Sequence, residues 1–178
     1  DQERVFVTLA KEIDPTIETK EAKDVARQAR EAVSLAKNTG LSPSEANLPS
    51  GFKSIGARYQ ERLGKMGALD FDDLLVKTRD YVASEQGAHW RSRFDHVLVD
   101  EFQDTNRLQY AWIKLLSGPS SSVLAVGDDD QSIYAFRGAN VGNMADFVRE
   151  FSVKHQIKLE QNYRSYSNIL DSANALIS

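Results

Sequence analysis

At 178 residues with 41% hydrophobic content, the chain is long enough to bury a core and fits one domain, or one and a piece. It contains no cysteine, which excludes disulfides and thiolate metal sites, and no apolar run near the roughly 20 residues of a membrane span. The formal net charge of −4 argues against a general nucleic-acid binder, and with no signal-peptide pattern a soluble cytoplasmic protein without membrane contact is expected.

The chain opens at Asp1, without an initiator Met and already inside a helical pattern, so either an excised piece of a longer protein or a processed N-terminus is expected. Val5, Phe6, Leu9 and Ile13 share one face at helical spacing. Ala22, Val25, Ala26, Ala29, Val33 and Ala36 form a stripe of small residues on a charged helix that stops near Asn38-Thr39-Gly40. Arg27, Arg30 and Lys37 read as its solvated face, with contact to a nucleic-acid duplex as the alternative. Ser42-Pro43 with Glu45 has the form of an N-cap, a first-turn proline and a capping-box acid. Phe52, Ile55, Tyr59, Leu63 and Met66 mark a further helix.

Charge is uneven along the chain. Residues 1–66 carry 11 Lys/Arg against 10 Asp/Glu, and residues 67–178 carry 11 against 16. Much of that excess lies in three knots: Asp70/Asp72/Asp73, Asp100/Glu101/Asp104 and Asp128/Asp129/Asp130. Clustered carboxylates repel one another, so a cation or a helix N-terminus usually accounts for them. The first knot reads as charge at a helix N-terminus rather than as a metal site.

After about residue 90 the pattern changes. His96-Val97-Leu98-Val99 and Ser122-Val123-Leu124-Ala125-Val126 are short apolar runs that end in acid, as buried parallel strands with carboxylates at their C-terminal ends would. Between them Leu108, Ala111, Trp112, Leu115 and Leu116 make an amphipathic helix, capped by Asp104 or Thr105 and ended by Gly118-Pro119. Met144, Phe147, Val148 and Phe151 give another helix, Ile157-Lys158-Leu159 a third strand, and Ile169, Leu170, Ala173, Leu176 and Ile177 a last helix. Strands alternating with helices predict an α/β layer with its site at the strands' carboxyl ends.

Asp100 and Glu101 are the residues that carry chemistry. An apolar strand running into adjacent acids supplies what nucleotide hydrolysis needs: one carboxylate for Mg²⁺ and a neighbour to polarise the attacking water. Taken alone, such a pair is also an ordinary polar turn. The sequence around it narrows the choice. VDEFQDTN at residues 99–106, VGDDDQSIYAFRGA at 126–139 and LEQNYRS at 159–165 resemble motifs II, III and IV of the UvrD/Rep/PcrA superfamily of DNA helicases. LDFDDLL at 69–75 resembles a stretch that these proteins carry just upstream.

The resemblance implies a role for each matching residue. Asp100 becomes the Mg²⁺-binding acid and Glu101 the general base. Gln131 becomes the sensor of the ATP γ-phosphate, Tyr163 the ring that stacks on adenine, and Arg164 an arginine at the γ-phosphate. Tyr134, Phe136 and Arg137 become contacts to single-stranded DNA, with Phe136 standing where close relatives often have Trp. Residues 1–94 then correspond to a helical insertion of the first motor domain, 95–159 to the second part of that RecA-like domain, and 160–178 to the start of the second. The implied whole is a P-loop NTPase motor using ATP and Mg²⁺. It would be a 3′→5′ helicase and translocase on single-stranded DNA and single/double-strand junctions, in repair or replication.

A phosphate-cradling loop, G-x-x-x-x-G-K followed by Ser or Thr, is absent. Gly64-Lys65 is followed by Met66, with Tyr59 where the first glycine belongs. The chain alone is therefore expected not to hydrolyse ATP. Two other readings stay open: an interaction module without catalysis, and a metal-dependent nuclease built on the acid knots. His89, His96 and His155 are scattered and receive no role.

Overall fold

The computed structural model describes residues 2–131 and 142–177. These form two compact units, Asp1–Asp146 and Phe147–Ser178. No helix among the described residues is long and apolar enough to cross a membrane.

In the first unit, α1 (Gln2–Ile13), α2 (Thr19–Asn38) and α3 (Ser50–Met66) pack together. Their shared core is Phe6, Leu9, Ala26, Ala29, Val33, Ile55 and Tyr59. The alanine stripe of α2 lets both neighbours approach closely, and the rings of Phe6 and Tyr59 meet with centroids 4.4 Å apart. Gly56 serves the same end. A Cβ there would lie 2.8 Å from Pro43 Cβ and 2.9 Å from Val33 Cγ2, so only glycine allows α3 this contact. The Ser42 box does form, with Glu45 Oε2 accepting from the Ser42 backbone N–H at 3.0 Å and from its hydroxyl at 2.6 Å. It closes a single turn rather than opening a helix. Pro49 disfavours helical backbone at the residue before it, and α3 starts only at Ser50.

A buried polar network joins this bundle to the rest of the unit. The helix α4 (Phe71–Ala83) is capped by Asp70, reciprocated by Asp73 in a capping box. Lys37, near the end of α2, is only 3% exposed and places Nζ 2.7 Å from Asp70 Oδ2 and 2.8 Å from Asp73 Oδ1. The Tyr59 hydroxyl donates to Asp70 Oδ2 at 3.0 Å, and Asn38 Nδ2 donates to Asp72 Oδ1 at 3.0 Å. The first acid knot is thus helix N-terminal charge, as its spacing predicts. Lys37 corrects the expected solvated face: it is the buried counter-ion of that knot. Arg27 does stay exposed, between Asp24 and Glu31.

Burial opposes the charge on Asp70, but the Lys37 ammonium, the Asp73 backbone N–H and the Tyr59 hydroxyl outweigh it and hold the carboxyl below its ordinary value. Burial, with the Asp70 charge beside it, pushes the Tyr59 phenol well up, so this donor keeps its proton. A depressed carboxyl contributes stability that is fully present above its unfolded value and lost as pH falls through the folded one. Helical circular dichroism and denaturant midpoints should therefore hold down to about pH 5 and fall below about pH 4, close to the unfolded carboxyl value. Asp70→Asn should flatten part of that acid limb, and an unchanged limb would contradict this assignment.

The helix α5 (Arg107–Leu116) packs on α4 and on the 3-10 turn Ala88–Ser92. Its cap is Asn106, with Gln109 completing a capping box, rather than the expected Asp104 or Thr105. Those two are taken up by the preceding 3-10 turn: Asp104 N–H donates to Glu101 O, and Thr105 donates its N–H and hydroxyl to Phe102 O. Asn106 Nδ2 also donates to Asn38 Oδ1 at 2.7 Å, tying α5 to α2.

Strands β1 (His96–Val99) and β2 (Ser122–Ala125) pair in parallel, His96 with Ser122 through Val99 with Ala125. The expected burial on both faces is not met. Successive side chains of a strand alternate between faces, and Leu98 is 72% exposed with Leu124 open beside it, whereas Val97, Val99, Val123 and Ala125 are half-buried.

The helix α6 (Gly142–Glu150) crosses the division between the units. In the second unit, the rings of Phe147 and Phe151 meet at a tilt of 35° with centroids 4.8 Å apart, and α7 (Ser167–Ile177) closes the described chain. The expected strand at Ile157-Lys158-Leu159 is irregular and exposed. A strand needs a neighbour to take its N–H and C=O groups, and among the described residues only β1 and β2 are paired.

Candidate functional site

The carboxyl ends of β1 and β2 lie side by side, and parallel pairing continues just past them. Val126 N–H donates to Val99 O at 2.8 Å, and Phe102 N–H donates to Val126 O at 2.9 Å. Two short turns leave these ends. Asp100 and Glu101 lead into the 3-10 turn Phe102–Asp104, and Gly127 and Asp128 lead into the 3-10 turn Asp129–Gln131.

Glu101 sits at φ 50°, ψ 42°, in the left-handed region that a residue with a side chain rarely adopts. Such a conformation costs on the order of 1–3 kcal/mol and persists only where the surroundings impose it. Several contacts impose it here. Asp100 Oδ1 accepts the Glu101 N–H at 2.9 Å, and Phe102, fully buried, anchors the turn by packing edge-on against Tyr110 of α5. Asp100 and Glu101 consequently stand exposed at the strand ends.

The second turn is organised by Asp128. Its Oδ1 accepts the Asp130 N–H at 3.1 Å, and its Oδ2 accepts Gln131 Nε2 at 2.6 Å. Gln103 links the two turns. It donates through Nε2 to Glu101 Oε2 at 2.7 Å, and its Oε1 accepts the Asp128 N–H at 3.1 Å. At the start of α6, Asn143 Nδ2 donates to Thr105 O at 2.8 Å, which ties that helix to the first turn.

Three of the predicted site residues, Asp100, Glu101 and Gln131, are thus assembled on adjacent strand ends. Tyr163 and Arg164 belong to the second unit. There Asn162 Oδ1 accepts the N–H groups of Arg164 and Ser165, both at 2.8 Å, and Tyr163 stands 92% exposed. Tyr134, Phe136 and Arg137 lie outside the described residues. Gln103 received no role from sequence, because its partners become visible only when the two strands are set side by side.

No group of three or more His, Asp or Glu side chains among the described residues could hold a metal by itself. Magnesium at phosphate-transfer sites is held by one or two carboxylates together with phosphates and water, and the exposed Asp100 carboxylate is a donor of that kind.

Residues 1–152 match the UvrD/REP helicase N-terminal domain, and the chain belongs to that family. It is 44% identical over 158 residues to DNA helicase II of Escherichia coli (strain K12), which covers 85% of this chain and 22% of that protein. It is 44% identical over 147 residues to ATP-dependent DNA helicase UvrD1 of Mycobacterium tuberculosis (strain ATCC 25618 / H37Rv), covering 78% and 19%. It is 41% identical over 153 residues to ATP-dependent DNA helicase PcrA of Leuconostoc citreum, covering 82% and 20%. The chain therefore spans about a fifth of the length of these curated relatives.

Proposed function

We propose that this chain supplies the magnesium-and-water half of the ATPase site in an ATP-dependent DNA helicase. The observation that carries the reading is the pairing of the Asp100–Glu101 turn with the Asp128–Gln131 turn at the ends of two parallel strands. Asp100 would hold Mg²⁺ through its exposed carboxylate, and the ion would supply stabilisation of negative charge on the transferred phosphate. Glu101 accepts a proton from the attacking water. Gln131 senses the γ-phosphate and exchanges its hold on Asp128 for the nucleotide. Tyr163 stacks on adenine, and Arg164 meets the γ-phosphate.

On this reading residues 95–159 are part of a RecA-like motor domain, residues 1–94 its helical insertion, and residues 160–178 the start of a second motor domain. The activity is 3′→5′ translocation on single-stranded DNA and unwinding at single/double-strand junctions, in repair or replication. The names of the relatives, DNA helicase II, UvrD1 and PcrA, support the helicase class. The nuclease alternative would need acids that converge on a pair of metals, and no group of three or more His, Asp or Glu side chains among the described residues is placed to hold one.

Tyr134, Phe136 and Arg137 are the proposed contacts to DNA. Stacking of a base on an aromatic ring is worth about 1–3 kcal/mol, so Phe136→Ala in the full-length protein should weaken single-strand binding about 5- to 150-fold with little sequence preference. Fluorescence anisotropy with a labelled oligonucleotide reads this directly. Restoration by Trp and not by Leu marks stacking, and parental affinity in Phe136→Ala sinks the assignment. The ATPase reading is tested by Mg²⁺-dependent ATP turnover of the full-length protein with and without single-stranded DNA. Stimulation supports the motor, and DNA cleavage without turnover points to the nuclease.

A further inference from the structure

Gln103 is 4% exposed, and both ends of its amide are occupied. Its Nε2 donates to Glu101 Oε2 at 2.7 Å and its Oε1 accepts the Asp128 N–H at 3.1 Å. Only one amide orientation satisfies both partners, since a carboxylate can only accept and a backbone N–H can only donate. The choice of side chain is narrow as well. Glutamate would set a second carboxylate against Glu101, lysine and arginine could not accept from Asp128, and leucine would do neither.

The facing turn is shaped to reach this amide. A Cβ on Gly127 would fall 2.7 Å from Gln103 Oε1, 3.2 Å from Gln103 N and 3.3 Å from Met144 Cε. The close approach of the second turn therefore requires a residue without a side chain at 127. One position further on, Asp128 holds Gln131 through Oδ2. A continuous chain of hydrogen bonds thus runs from Gln131 through Asp128 and Gln103 to Glu101.

We propose that Gln103 is a positioning residue for hydrolysis. It fixes the Glu101 carboxylate and couples it to the Asp128–Gln131 turn, so that displacement of Gln131 from Asp128 is felt at the base. The proposal rests on the reading of Glu101 as the base. Of the two Glu101 oxygens, Gln103 occupies Oε2, which sets the direction in which Oε1 is offered to water.

The test uses the full-length protein and two variants of matched size. Gln103→Leu removes both hydrogen bonds while filling the buried space. Gln103→Glu keeps an acceptor for the Asp128 N–H but replaces the donor with a charge that repels Glu101. Each should lower kcat for DNA-stimulated ATP hydrolysis about 10- to 100-fold, the scale of a misplaced catalytic group, with KM for ATP little changed. The deciding readout is a double-mutant cycle, because groups acting as a unit are not additive. Gln103→Leu placed on a Glu101→Gln background should cause no further loss of hydrolysis, since nothing is left to position. Multiplying losses, or parental kcat in both single variants, overturns the positioning role while leaving Glu101 as the base. Parental hydrolysis in Glu101→Gln overturns the base assignment and this proposal together. Should Gln103→Leu disturb folding, Gln103→Glu carries the same cycle at nearly unchanged shape.

Discussion

In the full-length protein, Glu101→Gln should leave ATP–Mg²⁺ binding intact and slow hydrolysis by about 10²–10⁴-fold, the usual contribution of a general base. The local geometry makes this a clean substitution. Glu101 is exposed at the end of β1, so exchanging a carboxylate oxygen for an amide disturbs no core packing. The amide oxygen can still accept from Gln103 Nε2, which keeps the side chain where it stands. What is lost is the ability to take a proton from water. Asp100→Ala should behave differently and weaken Mg²⁺-dependent nucleotide binding. Calorimetric titration for binding and single-turnover assays for hydrolysis separate the two effects. Parental hydrolysis in Glu101→Gln would remove this residue from the mechanism.

The second large effect is on stability. Lys37→Met should destabilise the first unit by about 3–5 kcal/mol, the cost of leaving buried charge without its partner. Lys37 is the cation between Asp70 and Asp73, and all three side chains are at most 9% exposed. Methionine replaces the stem of the lysine well but leaves two carboxylates facing each other in a low-dielectric site. An exposed lysine paired with an acid would contribute only about 0–1 kcal/mol, so chemical denaturation distinguishes the two cases. A loss under about 1 kcal/mol, the range of an exposed pair, would show that the network does not hold the helical bundle to α4.

Much of this architecture was legible before the structure. The 3.6-residue period marks α1, α2, α3, α5 and α6, because each turns one apolar face inward, and it marks α7 too, although Ile169 and Leu176 there stay exposed. The acid after each apolar run marks the ends of β1 and β2. What failed did so for non-local reasons. Lys37 looks like one more charge on a polar helix until Asp70 arrives 33 positions later. The Ser42 box has correct local chemistry, yet Pro49 halts any helix it would start. Leu98 and Leu124 have strand character, but hydrophobicity alone does not state whether both faces of a sheet are covered. The strand expected at residues 157–159 has no paired neighbour among the described residues. At the site, Asp100, Glu101 and Gln131 are legible from their motifs. The left-handed backbone of Glu101 and the bridge through Gln103 are not, because both depend on β1 and β2 lying side by side.

The most direct test of the central claim is strand separation by the full-length protein on two duplexes, one with a 3′ single-stranded tail and one with a 5′ tail. Unwinding of the 3′-tailed duplex is expected, requiring ATP and Mg²⁺ and abolished by Glu101→Gln. Failure to unwind either duplex with ATP, or unwinding that persists undiminished in Glu101→Gln, would contradict that claim.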